Sequence, residues 1–277
     1  VGTHRSLSFA ARNLRDPRPP IMTDSCCPPD RAPALQNPGD YKCVGTEVKF
    51  GKLDCYTVGE AKKGAIIVLP DVFGWQSGRH KAICDQFALE GYYAIMPDLF
   101  HGDRLFFKDI GKPRMGEFIN TWKVEKWTPD MDTVYKHLAE KKISPDSTGM
   151  IGFCWGSWGI YHESGRCGGK NFASGANFHP SLVIEKMLGS SIDELAQKAT
   201  TPMLMAPCKG DPEEVQAKGS VSEILAKKEF GSKCEYHPFP EMAHGFVSQG
   251  DLSVKEIAKE VDNAMKAATA FFAKTLK

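Results

Sequence analysis

The sequence predicts an α/β fold, a single domain with a mostly parallel central sheet and helices on both faces. Two observations carry that expectation. Short continuous apolar runs such as AIIVL (65–69), YYAIM (92–96) and TGMIGF (148–153) recur along the chain, and strands buried on both faces read this way. Stretches with helical spacing separate them, and strands that alternate with helices build a covered parallel sheet. No internal repeat and no second core interrupt the 277 residues, a length that one sizeable domain accommodates.

Taken in order, residues 42–50 and 53–59 are two short strands separated by Gly51, a hairpin. Residues 65–69 form a buried strand closed by Pro70 and Asp71, and 77–90 form a helix ending at Gly91. Residues 92–96 are the next strand, closed by Pro97 and Asp98. The stretch 99–130, rich in Gly, Phe and Trp, reads as an irregular excursion over the sheet, a lid or pocket wall. A helix at 131–142, a strand at 148–153 and a helix at 155–163 follow. Then come strands at 173–178 and 202–206, a helix at 213–230, a strand at 234–239 and a closing amphipathic helix at 253–273.

Charge narrows the function classes. The formal net charge is +1, which argues against an electrostatic nucleic-acid or membrane-surface binder, and no apolar run approaches the roughly 18 residues of a spanning helix. The nine cysteines are scattered, with no CxxC, and the eight histidines form no ligand-spaced cluster. The expectation is mostly buried, inert thiols in a reducing compartment, no metal and no cofactor. Residues 1–40 are read as an N-terminal extension outside the folded domain, which spans 41–277. Two readings stand for the Arg-rich, acid-poor residues 1–21: part of an organellar transit peptide, or upstream translated sequence with Met22 as the start. The first makes the protein organellar and the second cytoplasmic; the second is preferred.

The most informative stretch is GFCWG at 152–156. A nucleophile on a tight strand-to-helix turn needs small residues two positions to either side, and Gly152 and Gly156 supply them around Cys154. The following helix N-terminus favours a thiolate and offers backbone N–H groups to a developing oxyanion. Asp211 in PCKGD and His244 in EMAHGF also fall at predicted strand ends, where α/β sheets gather ligands. His244 is placed to take the thiol proton, and Asp211 to hold the imidazole. Taken singly, each residue has a plainer reading: a buried small thiol, a helix-capping aspartate, a loop histidine. Their conjunction, in the order nucleophile, acid, histidine, points to acyl transfer.

From about residue 41 onward the chain resembles the dienelactone hydrolase (carboxymethylenebutenolidase-like) family of the α/β-hydrolase fold. The resemblance rests on VLPDVFGW (68–75), GYYAIMPDLF (91–100), GFCWG (152–156), KGD (209–211) and HGF (244–246). It implies Cys154, Asp211 and His244 as a triad, with backbone N–H groups of Val72 and Trp155 as the oxyanion hole. It also implies that Asp71 holds the resting thiol; a turn residue after Pro70 is the equal alternative. The bacterial enzymes of the family grip a substrate carboxylate with two arginines. Here those places read FHGD (100–103) and Ser248, with Arg104 close by, so the paired clamp is not evident. Trp75, Phe100, Phe106, Phe107, Trp122, Trp127 and Trp155 are candidates for an apolar pocket. His179 in NFHPS is either a pocket residue or a loop histidine.

The resulting expectation is an ester or lactone hydrolase working through a thioacyl-enzyme on small-molecule substrates, as a monomer or homodimer. A redox-active thiol at Cys154 and a non-catalytic binding protein are the alternatives.

Overall fold

The structure, a computed structural model, describes residues 41–167 and 169–277. The readings of residues 1–40 lie outside that range. Strands β1 (Thr46–Phe50), β2 (Leu53–Val58), β3 (Ala65–Leu69), β4 (Tyr93–Pro97), β5 (Thr148–Phe153), β6 (Ser174–Phe178), β7 (Met203–Ala206) and β9 (Glu235–Tyr236) form one sheet in the order β1-β2-β4-β3-β5-β6-β7-β9. β1 pairs with β2 and β2 with β4 antiparallel, and the remaining neighbours are parallel. A short parallel pair, β8 (Cys208–Lys209) with β10 (Phe239–Ala243), stands beyond the main sheet.

The helices are α1 (His80–Leu89), α2 (Pro113–Thr121), α3 (Val124–Glu140), α4 (Trp155–Cys167), α5 (Ile184–Met187), α6 (Ile192–Lys198), α7 (Ser220–Ala226), α8 (Phe246–Gln249) and α9 (Lys255–Thr275). Successive side chains of a strand point to opposite faces, and β3 shows the result. Ala65, Ile67 and Leu69 join one core with Phe118, Trp127, Met131, Trp155 and Trp158. Ile66 and Val68 join the other with Ile83, Phe87, Met265, Phe271 and Phe272. Every residue of β3, β4, β5 and β6 is buried, which explains the unbroken apolar run of β3; β5 and β6 also bury the polar Thr148, Ser174 and Asn177. Each fully buried Ile or Val contributes about 1.5–3 kcal/mol.

Three expectations need correction. The helix at 213–230 is only a turn at Glu213–Val215 followed by α7. Gly219 lies so close to the turn that a Cβ there would meet the Glu213 carbonyl oxygen at 2.3 Å. The strand at 234–239 is split between β9 and β10, because Pro238 has no N–H with which to continue a ladder. The excursion at 99–130 is partly regular: it carries α2 and the first turns of α3, which passes through Pro129. Among the described residues, no helix is long and apolar enough to cross a membrane.

Candidate active site

Strands β3 and β5 are parallel neighbours, with Leu69 opposite Gly152, so the turns that follow them lie side by side. At the end of β5 the chain reverses into α4 through Cys154, whose φ of 55° is unusual for a residue with a side chain. The glycines permit the turn. A Cβ on Gly152 would sit 2.5 Å from the carbonyl carbon of Gly156, and one on Gly156 would sit 2.1 Å from the Leu69 carbonyl oxygen. Strain of this kind persists only where surrounding bonds hold it. The Cys154 N–H donates to the Phe178 carbonyl at 3.1 Å, and the Cys154 carbonyl accepts from Ser157 and Ser181 N–H groups.

The structure brings the three residues expected of a triad to one place. Asp211 follows β8 and His244 follows β10, the two strands of the short parallel pair. His244 Nδ1 lies 2.7 Å from Asp211 Oδ1. The other oxygen, Asp211 Oδ2, accepts the Cys208 N–H at 2.7 Å, which fixes the carboxylate. The tautomer this arrangement favours carries its proton on Nδ1 and leaves Nε2 as an acceptor. Ser181 Oγ lies within reach of both the imidazole and the thiol, 3.4 Å from His244 Nε2 and 3.1 Å from Cys154 Sγ. Cys154, Ser181, Asp211 and His244 are all buried.

Ser181 was not among the residues read from sequence. Its only signal there is a hydroxyl two places after His179 in the loop that follows β6. His179 is fully buried, and its ring lies 5.0 Å from that of His244. Neither of its ring nitrogens has a hydrogen-bond partner among the described residues. Burial holds its pKa well below the ordinary histidine range, and the nearby His244 and His80 add to the effect. The ring is therefore neutral.

Val72 sits in the turn after β3 and Trp155 opens α4. The Val72 carbonyl accepts the Leu105 N–H at 2.9 Å, and Phe107 stacks on Phe73 at 4.4 Å. The excursion therefore holds the Val72 turn in place from above. Asp71 is bound on several sides. Its Oδ1 accepts the Phe73 N–H at 3.0 Å, and its Oδ2 accepts from Ser248 Oγ and Gln249 Nε2, each at 2.8 Å. These bonds join the Val72 turn to α8, directly after the histidine. Arg79 strengthens the same junction, its guanidinium donating to the carbonyls of Phe246, Val247 and Gly250. Burial pulls the guanidinium pKa down to about 10, so it remains charged at neutral pH.

The expected pocket residues separate. Phe100 packs against Trp155, Phe118 and Trp122, with ring centroids 4.7, 4.8 and 5.8 Å away. Arg104 is exposed, with its guanidinium 4.9 Å from the Phe106 ring centroid. Ser248 is committed to Asp71. Trp75 packs in the core on the α1 and α9 side, and Lys81 lies over its ring at 5.0 Å. Among the described residues, no group of three His, Cys, Asp or Glu side chains could hold a metal ion.

Comparison with known proteins agrees with this architecture. A carboxymethylenebutenolidase homolog of Homo sapiens is 29% identical over 138 residues, 49% of this chain and 54% of that protein. The chain thus spans about half the length of such curated relatives. The hydrolase tropI of Talaromyces stipitatus is 26% identical over 230 residues, 80% of this chain and 85% of its own length. A Klebsiella pneumoniae structure described as a dienelactone hydrolase superposes with a TM-score of 0.65 at 18% identity, covering 83% of this chain and 98% of that one. The dienelactone hydrolase family model matches residues 53–276, so this α/β-hydrolase chain belongs to the dienelactone hydrolase family.

Proposed function

We propose that this protein hydrolyses small esters or lactones through a thioacyl-enzyme formed on Cys154. The observation that carries the reading is the elbow itself. A thiol at positive φ, flanked by two glycines that admit no side chain, stands at the head of a 13-residue helix. It shares a buried site with a histidine bonded to a fixed aspartate. A structural cysteine needs none of this.

In the proposed sequence, His244 Nε2 receives the thiol proton and Asp211 stabilises the imidazolium. Cys154 Sγ attacks the carbonyl carbon, and the N–H groups of Val72 and Trp155 bind the developing oxyanion. The imidazolium protonates the departing alkoxide. His244 then draws a proton from water, which attacks the thioester and releases the acid.

Asp71 acts here as a positioning residue. To hold the thiol instead, its carboxylate would have to give up bonds to Ser248 and Gln249. Those same bonds account for the missing clamp, because Ser248 stands where an arginine would grip a carboxylate. With Arg104 exposed against the Phe106 ring and a serine at the second arginine's place, the site favours uncharged acyl groups over small dianions.

The test is turnover of p-nitrophenyl acetate by Cys154→Ala. We expect a loss of at least about a thousandfold in kcat/KM with an unchanged melting temperature. Turnover at the wild-type rate would remove the thiol from the reaction. Inactivity of the wild-type protein, with Cys154 still rapidly alkylated and readily oxidised to a sulfenic acid, would favour the redox alternative.

A further inference from the structure

The proton transfer described above leaves out a hydroxyl within hydrogen-bond reach of both of its ends. Ser181 Oγ is 3.1 Å from Cys154 Sγ and 3.4 Å from His244 Nε2, and its residue is 1% exposed. The placement is built into the backbone. Phe178, the last residue of β6, accepts the Cys154 N–H, and the Ser181 N–H returns to the Cys154 carbonyl at 3.1 Å. Between these two bonds lie His179, at a φ of 39° with its N–H on the Ala206 carbonyl, and Pro180, whose ring fixes its own φ. The elbow and the Ser181 loop are therefore latched to each other, residue by residue. The Ser181 side chain is carried with them.

We propose that Ser181 is a further catalytic residue, its hydroxyl relaying the thiol proton from Cys154 to His244. The inference rests on the thiol reading of the site. A hydroxyl donates one hydrogen bond and accepts others, so in the resting state Cys154 S–H donates to Ser181 Oγ and Ser181 O–H donates to Nε2. On activation the S–H bond breaks, and its proton forms a new O–H bond on Ser181. The original Ser181 O–H bond breaks, and that proton bonds to the Nε2 lone pair. The serine ends unchanged, now donating to the thiolate, and Nε2–H of the imidazolium donates to Oγ. No co-reactant is required. The buried position keeps solvent from competing with the hydroxyl, and catalytic hydrogen bonds as long as the resting 3.4 Å commonly tighten in the reacting complex.

The test compares Ser181→Thr with Ser181→Val, near-isosteric replacements of which only threonine keeps a hydroxyl, with Ser181→Ala as a smaller control. Two readouts are taken on the full chain: the pH dependence of Cys154 alkylation by iodoacetamide, which needs no turnover, and kcat/KM for p-nitrophenyl acetate. The relay predicts that the valine and alanine variants lose about ten- to a hundredfold in kcat/KM. It also predicts that their alkylation profiles move to higher pH, and that threonine restores both toward wild type. Wild-type alkylation and turnover in the alanine variant would overturn the relay, as would a threonine variant no better than valine. Cys154→Ala separates the two proposals. If it is inactive while Ser181→Ala is fully active, only the relay fails; if it retains turnover, the thiol reading fails as well.

Discussion

Asp85 and Asp211 are both buried carboxylates close to cysteines, one under the β1–β2 edge and the other at the carboxyl end of the sheet. Asp85 accepts the hydroxyls of Tyr41 at 2.7 Å and Tyr56 at 2.5 Å, together with the Val44 N–H at 3.1 Å. Cys84 beside it is fully buried, and desolvation, followed by the Asp85 charge, pushes its thiol well above the ordinary range. Every donor that faces Asp85 is neutral and structural. Asp211 instead spends one oxygen on a backbone N–H and the other on an imidazole. Even there, Cys208 is pushed up, by burial first and Asp211 second. A thiol near a carboxylate is thus unreactive by default. Cys154 differs in its strained turn, its place at a helix N-terminus and a site that also holds the Asp211-bonded His244.

The contrast breaks most sharply in paired amide substitutions. Asp211→Asn should lower kcat/KM by about a thousandfold, because the amide no longer enforces the productive imidazole tautomer. Asp85→Asn should leave turnover intact and cost about 1–3 kcal/mol of stability through mispaired buried donors. Steady-state kinetics and denaturant melts on both variants measure the difference. Equal kinetic losses would show that the two carboxylates do not differ in kind.

The next effect is on stability at the junction of the Val72 turn and α8. Arg79→Met leaves the buried carbonyls of Phe246, Val247 and Gly250 without their donor, and should cost about 2–4 kcal/mol in urea unfolding. Turnover should fall too, since α8 follows His244 directly. A variant as stable as wild type would mean that this clamp carries no weight.

The smallest effect concerns His179. Above about pH 6.5 its imidazole is neutral whether the chain is folded or unfolded, and the contribution to stability is fully present. Below that, the unfolded chain binds a proton that the buried ring refuses, because its folded pKa is depressed. Stability therefore falls as the pH drops from 6.5 toward the folded value. His179→Phe should flatten part of that decline between pH 6.5 and 5. Parallel melting curves for the two proteins would assign the acid sensitivity to other groups.

Much of this was legible before folding. The doubly buried strands announce themselves as apolar runs, and Pro-Asp or Gly at their ends marks the turns where Asp71, Cys154 and Asp211 stand. The glycines around Cys154 are legible because the steric demand is local, two residues to either side. Ser181, Arg79 and Gln249 were not legible, because their partners are 27 to 178 residues away and a lone serine, arginine or glutamine has no pattern. Trp75 misled for a related reason. An aromatic residue in a turn at a strand end points to either face of the sheet, and only packing decides which. The helix expected at 213–230 failed where Gly219 and the positive φ of Lys218 break it, a boundary that helical composition on both sides conceals.

The central claim, covalent acyl transfer on Cys154, is tested most directly by acid-quenching the wild-type protein during turnover of p-nitrophenyl acetate and mapping the peptides by mass spectrometry. The account predicts an acetyl group on the peptide containing Cys154, present in wild type and longer-lived when deacylation is slowed by Asp211→Asn. An acetyl group confined to another residue, or rapid turnover with no acyl-enzyme at any quench time, would contradict it.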